Sequence, residues 1–222
     1  MKTILITGSS RGLGSCIKDF FIKKGYNVIA PNREELDLSD PNSIILYVDK
    51  LKNKRIDVLI NNAGVNNINP LINVNLSEVL NIFNINTFSP LILTKEIIKK
   101  YFIPNNGGQI INICTFWLSQ TKEHRTTYGM SKAALDYLTK SIAIEFGSKN
   151  ILCNSISPGF IDTDLTRKNN DKESLNKIID KIPLKRLADT KDITSLIYFL
   201  VKENKYINGE NIYIDGGISK SF

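Results

Sequence analysis

Short, β-rich apolar runs alternate along this chain with longer stretches of helical period, and that alternation restricts the fold more than any other feature. The runs at Thr3–Ile6, 26–30, Val58–Asn61, 109–114, 151–156 and Asn211–Ile214 are mostly apolar, as strands covered on both faces are. Between the first two, residues 12–24 carry Leu13, Cys16, Ile17, Phe20 and Phe21 on one helical stripe, closed by Gly25 as a C-cap. Asp40-Pro41 reads as an N-cap with proline at the first helical position, and Ile44, Ile45, Val48 and Leu51 are expected on that helix's buried face. Helical patterns follow over 77–102, interrupted by Pro90, and over 128–146, 173–181 and 191–201.

Strand–helix alternation with right-handed crossovers predicts an α/β doubly wound parallel sheet. Residues 1–222 contain no repeat, low-complexity stretch or linker, so one domain is expected, with the polar 160–187 stretch as a flap within it. One segment is too short for the pattern. Only nine residues separate Ala30 from Asp40, whereas a parallel crossover takes about a dozen or more. No helix fits there, and Leu36-Asp37-Leu38 forms at most a short edge strand.

Composition removes several classes of function. With 42% hydrophobic and 23% charged residues the chain has a core to bury and is not disordered. The net charge of +7 is spread along helices and accompanies no nucleic-acid motif, so no nucleic-acid partner is expected. No run reaches the roughly 18 apolar residues of a membrane span, and the N-terminal run is too short for a signal segment. Cys16, Cys114 and Cys153 are odd in number and far apart, which points to free thiols and a cytoplasmic protein. His124 is the sole histidine and no Cys-x-x-Cys occurs, so no metal site is expected.

Three motifs carry chemistry. Thr7-Gly8-Ser9-Ser10-Arg11-Gly12-Leu13-Gly14 joins the first strand to the first helix. Gly8 suits a sharp turn, Gly12 the approach of a pyrophosphate and Gly14 close packing of helix on strand, while the helix N-terminus offers N–H groups to phosphates. Asn61-Asn62-Ala63-Gly64 ends another strand, where doubly wound sheets bind ligands. Tyr128-Gly129-Met130-Ser131-Lys132 sets a phenol and an ammonium at i and i+4, one helical turn apart. A free phenol has a pKa near 10, and a neighbouring ammonium lowers it towards a usable general acid/base.

In this order and spacing the motifs resemble the single-domain, NAD(P)-dependent members of the short-chain dehydrogenase/reductase family, with a Rossmann fold. Asp37, Asn86 in the long helix, Pro158-Gly159 with Thr163, and Asp215-Gly216-Gly217 extend the resemblance over nearly the whole chain. It implies Tyr128 as general acid/base. Lys132 would hold the nicotinamide ribose and depress the Tyr128 pKa, and Asn86 would position a water in the proton relay. Thr115, preceded by Cys114, stands where the family usually has serine. Gly8, Ser10, Arg11, Gly12, Leu13 and Gly14 would meet the cofactor's phosphates, Asp37 and Leu38 its adenine, and Asn62, Ala63 and Gly64 its adenosine ribose. Ile161 and Thr163, after Pro158 and Gly159, would contact the nicotinamide amide and phosphate.

The reading is an oxidoreductase moving a hydride between NADP(H) and a carbonyl or secondary alcohol, with NAD(H) also possible. Asn32 occupies the end of the second strand, where an acidic residue would repel a 2′-phosphate, and Arg33 with Arg11 could clamp one. An epimerase or dehydratase of nucleotide sugars is disfavoured by the short chain. A non-catalytic cofactor sensor is disfavoured by the intact Tyr128, Lys132 and Asn86 set. Residues 115–120, 124–127 and 160–187 should line the pocket for a small-molecule substrate, with Phe116, Trp117 and Phe160 as an apolar wall. Apolar residues on more than one stripe of 77–102 and 128–147, such as Ile92, Ile97, Leu138 and Ile142, predict a homodimer or homotetramer.

Overall fold

Parallel pairing of the apolar runs builds a six-stranded sheet in the order β2-β1-β3-β4-β5-β6. The strands are β1 (Thr3–Ile6), β2 (Asn27–Ile29), β3 (Val58–Asn61), β4 (Gly108–Ile113), β5 (Ile151–Pro158) and β6 (Asn211–Ile214). The structure, a computed structural model, describes residues 1–51, 54–168 and 171–221; Asn169 and Asn170 of the expected flap lie outside the described residues. The helices are α1 (Gly12–Lys23), α2 (Pro41–Lys50), α3 (Leu76–Phe83), α4 (Ser89–Ile97), α5 (Thr126–Phe146), α6 (Asp164–Lys168), α7 (Lys172–Lys181) and α8 (Thr190–Lys202).

Side chains alternate across each strand, so every run of consecutive apolar residues feeds two cores. Leu5, Leu59 and Ile110 pack with Ile44, Val48, Leu93, Ile97 and Phe102 on one face. Ile6, Ile60 and Ile111 pack with Ile17, Phe21, Ile193 and Ile197 on the other. Each such side chain contributes about 1.5–3 kcal/mol on burial. The chain runs outward from β1 to β2, then returns to β3 on the other side of β1. The carboxyl ends of β1 and β3 therefore form the switch point at which such sheets bind ligands.

Local chemistry sets most boundaries. The Phe21 carbonyl accepts from the Tyr26 amide at 3.0 Å and that of Ile22 from Gly25 at 3.0 Å, the two bonds of a Schellman ending for α1. Asp40 caps α2 by accepting from the Asn42 amide at 2.9 Å. Asp189 and Asp192 form a reciprocal capping box at the start of α8.

Three expectations are corrected. Ile45 is exposed, because it lies one residue and so about 100° round the helix from buried Ile44; Tyr47 takes its place in the core. Leu36 to Leu38, expected to form at most a short edge strand, forms none, and β2 is the sheet edge. Leu36 instead drops into the core from a turn closed by two reciprocal bonds, Asn32 amide to Glu35 carboxylate and Glu35 amide to Asn32 side chain, both at 2.9 Å. Pro90 does not interrupt the long helix. A wider π turn over Asn84–Phe88 precedes it and absorbs the proline's missing N–H and ring. Finally, Ile92, Ile97, Leu138 and Ile142 pack into the core; the exposed apolar residues of these helices are Leu76, Leu80, Phe88, Leu91, Met130, Tyr137 and Ile144.

Candidate active site

The glycine loop and the loop after β3 are fastened together. Thr7 is buried, and its hydroxyl accepts from the amides of Asn62 at 3.2 Å and Ala63 at 3.1 Å. In return the Asn62 side chain donates to the carbonyls of Thr7 and Gly8, both at 3.0 Å. Asn62 is thus a brace between the two loops. A β-carbon on Gly14 would lie 2.1 Å from the Gly8 carbonyl oxygen and 2.4 Å from the Asn62 amide, so α1 seats on this loop only as glycine. Gly12 is the opposite case: its φ is +56° and a β-carbon there would meet nothing within 4 Å. Open space thus adjoins the start of α1, whose N-cap residue Arg11 makes no side-chain cap and whose first turn holds no acidic residue. Gly12, Ser10 and Arg11 are exposed beside it and Leu13 is half-buried. That cradle fits a dinucleotide pyrophosphate.

On the other side of the switch point, Asn86 locks the chain after Gly64. Its side-chain amide donates to the Val65 carbonyl at 2.9 Å and the Ser131 hydroxyl at 3.0 Å, and its oxygen accepts from the Val65 amide at 2.9 Å. The Ser131 hydroxyl donates onward to the Tyr128 carbonyl at 2.8 Å. The long helix and α5 are thereby joined at the turn that carries the Tyr128/Lys132 pair. Lys132 is buried, donates to the Ile113 carbonyl at 2.7 Å, and lies 3.3 Å from where a Gly64 β-carbon would stand.

Thr115 follows β4 and is buried; its hydroxyl accepts from the Trp117 amide at 3.4 Å. The half-buried Tyr128 sits near enough to feel this hydroxyl. Burial is the largest influence on the phenol and raises its pKa; Thr115 and Arg125 pull it down, and Cys114 pushes it up. Lys132 is not among these influences. Its own pKa is lowered, first by burial. Burial also pushes the Cys114 thiol up to about 12, so it stays neutral. Phe116, Trp117 and Phe160 do form one aromatic cluster, with Phe116 and Phe160 centroids 5.1 Å apart, and Ile182 and Ile218 pack beneath it.

The remaining expected residues divide. Pro158 ends β5, and the Gly159 amide donates to the Ile214 carbonyl at 3.0 Å. Ile161 bridges to Ala188, and the Thr163 hydroxyl accepts from the Thr166 amide at 3.3 Å. Arg33, Asp37 and Leu38 follow β2 in the chain, and the Leu38 carbonyl accepts from the Ser89 hydroxyl of α4 at 2.7 Å. Arg33 is exposed and 3.7 Å from the Asp37 carboxylate. That carboxylate also takes the Ser39 hydroxyl at 2.7 Å and amide at 2.9 Å, and the hydroxyl bond is the chief reason its pKa is lowered. Sequence reasoning missed Thr7, Ser131 and Asn62 as braces; a hydroxyl residue buried inside a Tyr-x-x-x-Lys turn is the one signal that was there to read. Among the described residues no His, Cys, Asp and Glu cluster could hold a metal, and no helix is long and apolar enough to cross a membrane.

Comparison with known proteins agrees with this geometry. A family model described as Enoyl-(Acyl carrier protein) reductase matches residues 10–219. The 3-oxoacyl-acyl-carrier-protein reductase of Buchnera aphidicola subsp. Schizaphis graminum is 33% identical, over 98% of this chain and 97% of its own. L-xylulose reductase of Caenorhabditis elegans is 28% identical over 99% and 96%. Among solved structures, 4-hydroxyisoleucine dehydrogenase complexed with NADH superposes with a TM-score of 0.94 at 31% identity, covering 100% of both chains. The chain belongs to the short-chain dehydrogenase/reductase family and is an NAD(P)-dependent oxidoreductase.

Proposed function

We propose that the protein moves a hydride between NADP(H) and a carbonyl or secondary-alcohol carbon, with Tyr128 as general acid/base. The observation that carries this reading is Lys132, buried one turn from Tyr128 and set against Gly64, with the Thr115 hydroxyl near enough to pull the phenol's pKa down. The nicotinamide supplies or accepts the hydride when bound. Gly12 and the start of α1 would hold its pyrophosphate, and Lys132 at Gly64 its nicotinamide ribose. In reduction Tyr128 gives its phenolic proton to the carbonyl oxygen; in oxidation the phenolate takes the hydroxyl proton. Thr115 donates to the same substrate oxygen and steadies charge as it develops. Asn86 fixes the Gly64 turn against α5 and so holds Lys132 and Tyr128 in place; Pro90, four residues on, has no N–H to give its carbonyl, which favours a water there. Tyr128→Phe should lose about 10²–10⁴-fold in turnover with cofactor binding kept. Near-normal turnover on a panel of ketones would refute the role.

The 2′-phosphate reading rests on exposed Arg33 and Arg11 and on Asn32 at the end of β2. One observation favours NAD(H) instead: the Glu35 carboxylate is bonded to the Asn32 amide and so places negative charge where the phosphate would sit. KM for both cofactors, in wild type and in Glu35→Gln, decides between them. We further propose that residues 160–187 act as a flap over the substrate, that the protein is cytoplasmic in keeping with its free cysteines, and that it forms a homodimer or homotetramer through the exposed apolar residues of the 76–102 and 126–146 helices.

A further inference from the structure

Four of the six arginines rest on a carboxylate of their own chain: Arg33 on Asp37, Arg55 on Asp57, Arg167 on Asp162 and Arg186 on Asp192. Arg11 is exposed at the glycine loop. Arg125 is different. It is half-buried, yet among the described residues no carboxylate lies within 4 Å of its guanidinium and no acceptor hydrogen bonds it. Only its backbone is engaged, the carbonyl accepting from the Gly129 amide at 2.8 Å.

Its position is costly to hold. His124, immediately before it, has a φ of +65°, a left-handed conformation rare outside glycine. The His124 carbonyl accepts from the Asn69 amide at 3.3 Å, which ties this turn to the loop after β3. Arg125 then sits three residues before Tyr128, on the same side of the start of α5, where β-carbons are about 5–6 Å apart. The guanidinium and the phenol feel one another: each moves the other's pKa towards its charged form. A cation partly withdrawn from water without a partner is unfavourable, and an incoming anion removes the penalty.

We propose that Arg125 anchors the substrate's carboxylate, and that the substrate is a short hydroxy acid or the corresponding oxo acid. This rests on the reading of Tyr128 and Thr115 as the site of hydride transfer. Two parallel guanidinium N–H groups match the two oxygens of a carboxylate. One guanidinium balances a monoanion, and the Glu123 carboxylate two residues before it disfavours a dianionic phosphate ester. The separation of one helical turn puts the carboxylate a few bonds from the reacting carbon, and the aromatic cluster of Phe116, Trp117 and Phe160, which follows Thr115, would cover the carbons between. In oxidation the carbinol C–H bond breaks and its electron pair leaves as hydride to the nicotinamide. The hydroxyl proton passes to the Tyr128 phenolate and the C=O bond forms. The carboxylate is unchanged.

The test compares 2-oxopentanoate and 4-oxopentanoate with their methyl esters, and with dihydroxyacetone phosphate, in wild type, Arg125→Leu and Arg125→Lys. Wild type should prefer one acid to its ester. Arg125→Leu should lower kcat/KM for that acid about 10–100-fold more than for its ester, with the difference chiefly in KM. Arg125→Lys should restore part of the preference, and it is the variant to read should the leucine variant fail to fold. Esters used as well as acids, equal losses on both, or a preference for the phosphate would each overturn the anchor and leave hydride transfer standing. Wild type that binds cofactor but reduces none of these, nor any neutral ketone, would overturn the hydride-transfer reading and the anchor with it.

Discussion

The hydroxyl at position 115 accepts from the Trp117 amide and pulls down the pKa of the Tyr128 phenol, and substitutions separate the two effects. Thr115→Ala should cost on the order of 10²-fold in kcat with cofactor affinity kept, whereas Thr115→Ser, which retains the donor, should stay active. An alanine variant with full turnover per folded molecule would reduce Thr115 to a capping role. The glycines invite a second comparison. Gly12→Ala should cost about 1–2 kcal/mol in stability from its positive φ, yet weaken cofactor binding far more, because its β-carbon enters the open cradle. Gly14→Ala should chiefly destabilise, by about 1–3 kcal/mol, since its β-carbon meets backbone. Denaturant melts beside fluorescence titration with NAD(P)H check both. Tyr128, Lys132, Asn86 and the glycines were legible because each belongs to a short motif with its own chemistry. Ser131, Thr7 and Arg125 were not, since what sets them apart is the partner each has or lacks in space, and linear spacing does not record that.

The helices read well where their ends are written in short-range chemistry, as at the Asp40-Pro41 start of α2 and the Gly25 ending of α1. They read poorly where packing overrides period. The π turn over Asn84–Phe88 is one case, because nothing in a 3.6-residue pattern announces a widened turn. A second lies between α2 and α4. Buried Glu96 pairs with Lys100 at 3.1 Å, and Lys100 reaches Asp49 at 2.8 Å. Burial raises the Glu96 pKa, but its bonds to Lys95 and Lys100 outweigh this and leave it lowered, while Lys100 is raised, first by its bond to Asp49. A depressed carboxyl stabilises the fold above its unfolded value and loses that contribution as pH falls through the folded one. The raised ammonium stabilises below its unfolded value and loses that as pH climbs through its folded one. Glu96→Gln should therefore cost about 1–2 kcal/mol at pH 7, and the gap to wild type should close on acidification below the carboxylate range. A cost unchanged in acid would show that packing of the side chain, not its charge, is what matters.

For the molecule as a whole, strand–helix alternation predicted the parallel, doubly wound sheet, and the short stretch after Ala30 predicted that one crossover helix is missing. What alternation cannot say is which apolar stripe faces inward on the two long helices. There the residues expected outside turned in, and Phe88, Leu91, Met130, Tyr137 and Ile144 are among the exposed ones. If these faces pair, light scattering should give a mass of at least twice 25.0 kDa, and Tyr137→Glu with Ile144→Glu should return it to the single-chain value without unfolding. A wild-type mass equal to one chain would contradict this. Since the sheet stops at β2, the residues that would meet the far ribose form an exposed turn, 32–35, which contributes nothing to either core. If the far ribose meets this turn, substitutions at exposed Arg33 and Glu34, which take no part in the bonds that seat Leu36, should change the preferred dinucleotide while the melting temperature holds, and cofactor choice and thermal robustness would then vary as independent traits.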